Sequence, residues 1–571
     1  MRFGATVNGG TTMFRVWAPS ARQVRLQIVG SPGASEMRRE PDGSWSLEAA
    51  AQAGDRYFYL VDDNKPVPDP VSRFLPEGVH GPTEIVDPAA FEWTDAGWRG
   101  LKLRDYALYE LHVGTFTPEG TFEAVVPRLE ELKRLGVTAL ELMPVAAFPG
   151  ARNWGYDGVS PYAVQASYGG PVGLKRLVDA AHRAGLAVVQ DVVYNHLGPE
   201  GNYLRMFGPY FTGRYETPWG EAVNYDGAGC AGVRRYFVEN AAYWVREYHM
   251  DGLRLDAVHT MHDHSARHVL AEVAEAAHAA GAEAGRPAVV IAESDANDAM
   301  LVAPAERGGY GLDAVWSDDF HHAVHAFFTG ERAGYYQDFG RGEQIAKALR
   351  EGFCFQGEHF AYWGKPRGSK PAGMRAEQHV LCLQNHDQVG NRAHGERLTQ
   401  LVPRGARKLA AALLVLAPET PLLFMGQEYD ERNPFLFFTS FGDPALRKAV
   451  VAGRKKEFKK FGFADTPDPE DAKTFERSKL QWPVDGGQWT DQGQREMWEW
   501  YRRLLELRRE WVAGTDRQCD VRLEGAVLTM RVGSLVVQAG LKAGAALPPA
   551  AGKPLLESYE DGYAVRVSPQ G

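Results

Sequence analysis

Residues 173–196 read GLKRLVDAAHRAGLAVVQDVVYNH, and the punctuation of this run decides the fold. Leu174, Leu177, Val178 and Ala181 recur at helical spacing on one face, and Gly185 is placed to stop the helix as a C-terminal cap. LAVVQDVVYNH (Leu186–His196) then reads as an apolar strand ending in Asp191, Asn195 and His196. The same alternation extends on both sides. ALYELHVGTF (Ala107–Phe116) predicts a strand, FEAVVPRLEELKRLG (Phe122–Gly136) a helix with Leu129, Leu132 and Leu135 in step, and VTALELMPV (Val137–Val145) another strand. Further strands are predicted at Gly252–Leu255, Ala288–Ala292, Leu312–Trp316, His379–Leu383 and Pro421–Met425. Eight strands counted from Ala107 point to a closed barrel, although periodicity alone also allows an open doubly wound sheet.

The flanks read differently. Thr11–Ser20, Val24–Val29 and Arg56–Asp63 are β-rich runs broken by Gly and Pro, and predict a small sandwich over 1–92 with Pro66, Pro68, Pro70, Pro76 and Pro82 as an extended connector. Cys519–Gly540 and Gly562–Ser568 predict a small antiparallel sheet over 513–571. Between them the β/α region spans 93–512, with a Gly-rich, aromatic insertion at about 197–240. After the eighth strand comes the basic run Arg447–Gly462, read as the solvated face of a helix, and an amphipathic helix at Arg495–Glu510 with Met497, Trp498, Tyr501, Leu504 and Leu505 on its stripe. The fold class is therefore a multidomain chain: a (β/α)8 TIM barrel flanked by an N-terminal β-sandwich and a C-terminal antiparallel β domain.

Composition narrows the function. At 571 residues, 44% hydrophobic and 24% charged, the chain suits a globular protein of several domains. No apolar run has membrane-spanning length, and MRFGATVNGG lacks the apolar core of a secretory signal, so no membrane partner is expected. The four cysteines are scattered without CxxC spacing, which argues against a disulfide framework or a zinc site and fits a reducing cytoplasm. A net charge of −10 argues against nucleic-acid partners and polyanionic substrates. Fourteen Trp and 23 Tyr, many beside Gly, Pro or Asn, suit the flat faces of sugars.

Four strand ends carry polar residues that packing does not ask for: Asp191, Asn195 and His196; Arg254 and Asp256 in GLRLDAVH; Glu293 closing AVVIAES; and Asn385, His386 and Asp387 closing VLCLQNHD. A barrel would gather them at one mouth. Arg254 and Asp256, two apart on a strand, share one side; alone they read equally well as a structural ion pair. With two more carboxylates nearby they suggest glycosidic chemistry, which needs a nucleophilic carboxylate and a protonated acid roughly 5 Å apart. Asp256 beside a cation suits the nucleophile, and Glu293 after an apolar strand suits the acid, its pKa raised by desolvation and neighbouring charge. Asp387 is expected to grip sugar hydroxyls, with His196 and His386 as neutral donors. A metal-dependent barrel hydrolase predicts an HxH pair or a bridging Lys at strand ends, and neither is present; a non-catalytic sugar-binding protein predicts one carboxylate missing, and all three are there.

DVVYNH, GLRLDAVH, IAES and LQNHD resemble the four best-known motifs of the alpha-amylase superfamily, in that family's order. The resemblance implies Asp256 as nucleophile, Glu293 as general acid/base and Asp387 as transition-state stabiliser, without metal or organic cofactor. Arg254, His196, His386 and Asp191 match its supporting positions, and NWGYD supplies Tyr156 as the aromatic platform at the cleavage subsite, with Trp154 beside it. The N-terminal β-module resembles those of branching enzymes, debranching enzymes and maltooligosyltrehalose trehalohydrolases. Leu383–Leu398, Ala314–Phe339 and GQEYDERNPFLFFTSF with DPEDAKTFERSKLQW resemble the last of these, and Asn385 stands where a branching enzyme is expected to carry Ser. This implies cleavage of the alpha-(1→4) bond next to the terminal trehalose of maltooligosyl trehalose or a related alpha-glucan. Trehalose is then the product, in a cytoplasmic pathway that also uses a maltooligosyltrehalose synthase. A glycogen branching or debranching activity is the alternative. From their place after the sixth and seventh strands, Asp318, Asp319, Phe320, His321 and Gln388 are expected near the trehalose-reading acceptor subsite.

Overall fold

Apolar strands with no polar alternation need cover on both faces, and a closed parallel barrel wrapped by helices gives it. The computed structural model describes residues 3–62, 64–460, 466–485, 487–513, 519–550 and 552–570. In it eight parallel strands close in sequence order: β1 Leu108–Leu111, β2 Ala139–Leu142, β3 Ala187–Val192, β4 Gly252–Leu255, β5 Val289–Ala292, β6 Ala314–Trp316, β7 His379–Cys382 and β8 Thr420–Phe424. β1 pairs with both β2 and β8, so the open-sheet alternative falls. The helix Gly170–Ala184 buries Leu174, Leu177, Val178 and Ala181, and Gly185, at φ +83°, donates its N–H back to the carbonyls of Ala181 and His182.

The N-terminal sandwich consists of two four-stranded antiparallel sheets. Gly4–Asn8 and Ser44–Ala49 add strands to the runs read from sequence; Asp63, which ends the third run, lies outside the described residues. The two sheets meet through Phe14, Tyr57 and Tyr59, packed edge to face with centroids 4.8 and 5.5 Å apart. At the other end, the strands of 519–569 form one five-stranded antiparallel sheet, and Lys408 of the barrel helix Arg404–Leu416 reaches its Glu560 at 2.7 Å.

The insertion after β3 is shorter than expected. Its hairpin, Phe211–Thr217 with Gly220–Val223, gives way at Gly229 to the helix Cys230–Glu247. Val233, Tyr236, Phe237 and Asn240, counted with the aromatic loop, are the buried stripe of that helix. The basic run lies on the helix Pro444–Lys460, with Arg447, Lys448, Lys455, Lys456 and Lys459 exposed; Phe461 and Gly462 lie outside the described residues. All five stripe residues of the amphipathic helix are buried within Gln492–Leu507. Among the described residues no helix is long and apolar enough to cross a membrane.

The segment leading into the barrel is clamped to its closed end by charge. His182 pairs with Asp95 of this segment at 2.7 Å and with Asp251, just before β4, at 2.8 Å, while Trp98 donates its indole N–H to Asp251 at 2.7 Å and stacks on the His182 ring. Burial pulls the His182 pKa down, but the two aspartates outweigh it and raise it above the ordinary value. A histidine with a raised folded-state pKa stabilises fully below about pH 6.5 and loses that contribution as pH rises through the folded value. Thermal and denaturant unfolding should therefore show His182→Gln less stable by about 3 kcal/mol at pH 6, with a smaller difference at pH 9; a difference that grows with pH would show that the clamp is not an ion pair.

Candidate active site

Arg254 lies on β4 with its side chain 0% exposed, its guanidinium 4.2 Å from the centroid of the Trp316 ring of β6. Strand register places it beside Asp191 of β3, and one nitrogen, Nη1, donates to Asp191 Oδ2 and to Asp256 Oδ1, each at 2.9 Å. Asn195 holds the other side of Asp256, donating its amide to Oδ2 at 2.7 Å and to the backbone carbonyl at 2.8 Å. The next residue, Ala257, sits at φ +40°, a left-handed conformation costly for a residue with a Cβ. That turn aims the Ala257 N–H at Glu293 Oε2, 2.5 Å away.

Glu293 follows β5, with Oε2 3.8 Å from Arg254 Nη2. Burial pushes its pKa well above the usual carboxylate range; Arg254 opposes this, and Asp256, Asp387 and Asp318 add to it. Burial likewise lifts Asp191 to about 6 against the pull of Arg254, while Tyr156 donates its hydroxyl to Asp191 Oδ2 at 2.6 Å. Asp387 sits in the first turn of His386–Gly390, capped by Asn385, and its side chain is 44% exposed at the barrel mouth. The closed barrel thus brings Tyr156, Asp191, His196, Arg254, Asp256, Glu293, His386 and Asp387 together.

The two histidines differ, contrary to the expectation of two neutral donors. Burial lowers the pKa of His196, keeping it neutral; its ring nitrogens face the Asn195 side chain and the Tyr156 carbonyl, and its face stacks on Trp219 at 4.3 Å. Trp219 is 49% exposed between the strands of the hairpin, so the insertion reaches the site. His386 is a cation at neutral pH. Burial pulls it down, but Asp387 and Glu110 raise its pKa to about 9.

Other expectations need correction. Asp319 is buried, accepting from Asn297 Nδ2 (2.8 Å), the backbone N–H groups of Cys354 (2.6 Å) and Phe355 (3.1 Å), and Arg367 Nη1 (2.9 Å). Three of these bonds converge on Oδ2 and the Arg367 bond takes Oδ1, so both oxygens are tied to structure. Phe320 is fully enclosed in the core, and His321 bonds the Leu383 carbonyl and the Tyr336 hydroxyl. Trp154 is buried, donating to the Leu436 carbonyl at 2.9 Å, stacking on Phe435 and meeting the His386 ring edge-on. Asp318 lies close enough to Asp387 and Glu293 to act on them by charge, and Gln388 follows Asp387 in the same turn. Burial and then Asp387 lift Asp318 to about 7, and Gln388 is 7% exposed with Oε1 unpartnered among the described residues. Glu110 and Glu141, facing the site from β1 and β2, went unread, although each is a lone charge in an apolar strand, the same signal that singled out Arg254.

Comparison with known proteins gives this geometry its kinship. A family model for the alpha amylase catalytic domain matches residues 85–208. A malto-oligosyltrehalose trehalohydrolase of Saccharolobus solfataricus is 46% identical over 532 residues, covering 93% of this chain and 91% of the relative. Another from Rhizobium sp. is 48% identical, covering 88% of this chain and 85% of the relative. A crystal structure from Salmonella typhimurium, assigned to the alpha amylases, superposes with a TM-score of 0.91 at 39% identity, covering 100% of this chain and 99% of that one. An Anoxybacillus pullulanase at 20% identity, TM-score 0.72, covering 100% of this chain and 86% of its own, shares the fold.

The reassignment of Asp319 is open to direct test. Asp319→Asn strands the Arg367 charge in the interior and should cost about 3–5 kcal/mol of unfolding free energy, read by denaturant titration. The folded fraction should keep its ratio of kcat/KM for trehalose-ended over plain maltooligosaccharides; an altered ratio at unchanged stability would return Asp319 to the acceptor subsite.

Proposed function

Because the chain belongs to the malto-oligosyltrehalose trehalohydrolase family of alpha-amylase-type glycoside hydrolases, we propose that the site around Arg254 hydrolyses the alpha-(1→4) bond next to the terminal trehalose of maltooligosyl trehalose, with retention. One observation carries the assignment of roles. A single buried guanidinium lies 2.9 Å from one carboxylate, Asp256, and 3.8 Å from a second, Glu293, whose pKa is pushed well above the usual range. Two carboxyls in one pocket, one ion-paired and one held protonated, are the pair that double displacement needs.

In this reading Asp256 attacks the anomeric carbon while Glu293 gives its proton to the glycosidic oxygen, and trehalose leaves. Glu293, now a carboxylate, takes a proton from water, which attacks the same carbon and releases Asp256. Asp387, open to the mouth, grips sugar hydroxyls as the ring distorts. Tyr156 offers its ring as a platform, held by its bond to Asp191 and its stacking 5.0 Å from His386. The charged His386 donates to a sugar hydroxyl, and neutral His196 braces the Tyr156 backbone. Asp318 and Gln388 are the acceptor-side groups. No cofactor enters this scheme. The substrate places the enzyme after a maltooligosyltrehalose synthase, and the two are proposed to work in sequence in the cytoplasm.

Incubation with maltooligosyl trehalose should release free trehalose, with the new glucan end first appearing as the alpha anomer by proton NMR; a beta anomer would overturn double displacement. New branch points on amylose, without trehalose release, would point to a branching enzyme instead. Asp256→Asn should lower kcat roughly 10⁴-fold or more while unfolding as wild type does.

A further inference from the structure

Beneath the site the barrel interior holds polar side chains that hydrolysis does not use. Glu110 of β1 and Glu141 of β2 are each 1% exposed. Glu110 reaches past β8 to the residue that follows β7: its Oε1 lies 2.5 Å from His386 Nδ1, and its Oε2 accepts the backbone N–H of His386 at 3.0 Å. Its own carbonyl accepts the Met425 N–H at 2.9 Å, pinning the strand from which it projects. One carboxylate therefore fixes both the ring and the backbone of the turn that carries Asp387.

We propose that Glu110 is a positioning residue for the glycosidic reaction: from β1, with only β8 between it and β7, it clamps the His386 ring through Nδ1 and the backbone amide, beside Asp387. The other ring nitrogen, Nε2, lies 3.5 Å from Asp387 Oδ1, too far for a strong hydrogen bond, and is left to donate to a sugar hydroxyl. Trp154 edge-on and Tyr156 stacked hold the ring from two further sides. The ionisable groups that face it are Asp387 on its own helix, Glu110 from β1, His112 just beyond β1, Glu141 from β2, Asp191 from β3 and Arg254 from β4. His112 is neutral, burial having lowered it to about 4, and burial keeps Glu141 protonated, so neither offsets the pull of Glu110 and Asp387.

Glu110→Gln separates positioning from mere packing. An amide keeps the volume but has one acceptor for two N–H donors, and its NH2 turned to Nδ1 favours the neutral ring. This rests on the glycosidase reading above. For maltooligosyl trehalose, kcat/KM should fall about 10–100-fold at pH 8 and recover toward wild type at pH 5.5. The alkaline limb of the pH profile should then move down by about two units, toward the ordinary histidine value, and Glu110→Asp, which restores the charge, should move it back. An unmoved limb in active, folded Glu110→Gln overturns the proposal and leaves the glycosidase reading standing, whereas failure of the wild type to release trehalose would fell that reading itself. Should Glu110→Gln fail to fold, wild type labelled with 15N-histidine serves: at pH 8 it should show an imidazolium, protonated on both ring nitrogens, that is missing from His386→Gln. A neutral His386 ring at pH 7 would overturn the proposal.

Discussion

A guanidinium with no exposed surface cannot sit in a barrel unless anions meet it there, and Arg254 is where sequence, fold and chemistry become one constraint. Its partners come from three neighbouring strands: Asp191 near the end of β3, Asp256 just after β4 and Glu293 just after β5. Register matters as much as proximity. Asp191 is the direct cross-strand neighbour of Arg254, and a slip of one residue would turn the aspartate to the other face of the sheet. In the other direction, without the cation three carboxyls would share one desolvated pocket. The interaction that lets the barrel close there also makes the pocket chemically competent.

What the sequence made legible follows the same logic. A charge written into an apolar strand is conspicuous, and the closed barrel turned Asp191, Arg254, Asp256, Glu293 and Asp387 from scattered oddities into one cluster. Strands at barrel positions were readable because burial on both faces leaves continuous apolar runs. Residues expected on the acceptor side were not, because their orientation depends on where a helix begins. Asp318 and Asp319 are adjacent, and about 100° of helical rotation separates a carboxyl at the mouth from one locked onto Arg367. NWGYD is similar: Gly155 alone separates Tyr156, which bonds Asp191, from Trp154, which stacks on Phe435. Nor does an aromatic run announce whether it is loop or helix. Tyr236 and Phe237 looked like the loop before them, and only their spacing against Val233 and Asn240 marks the helix.

Charge counting favours one particular carboxyl for the proposed role of acid. Around the mouth stand Asp191, Asp256, Glu293, Asp318 and Asp387, with Glu110 and Glu141 below, against two cations, Arg254 and His386. Burial makes full ionisation untenable, so some protons must stay. They stay where compensation is poorest: on Glu141, whose two oxygens have no hydrogen-bond partner among the described residues, and on Glu293, 3.8 Å from the guanidinium where Asp256 and Asp191 are at 2.9 Å. Glu141 is sealed in at 1% exposure, whereas the Glu293 side chain keeps 12% exposed in the pocket, as the proposed acid must. Arg254 Nη2, which has no hydrogen-bond partner among the described residues, already points at Glu293. In the proposed reaction, as Glu293 gives up its proton, that N–H and the N–H of Ala257 are in place to take the new negative charge, so the strained turn after Asp256 and the unpaired half of the guanidinium would both favour the state in which the glycosidic bond is breaking.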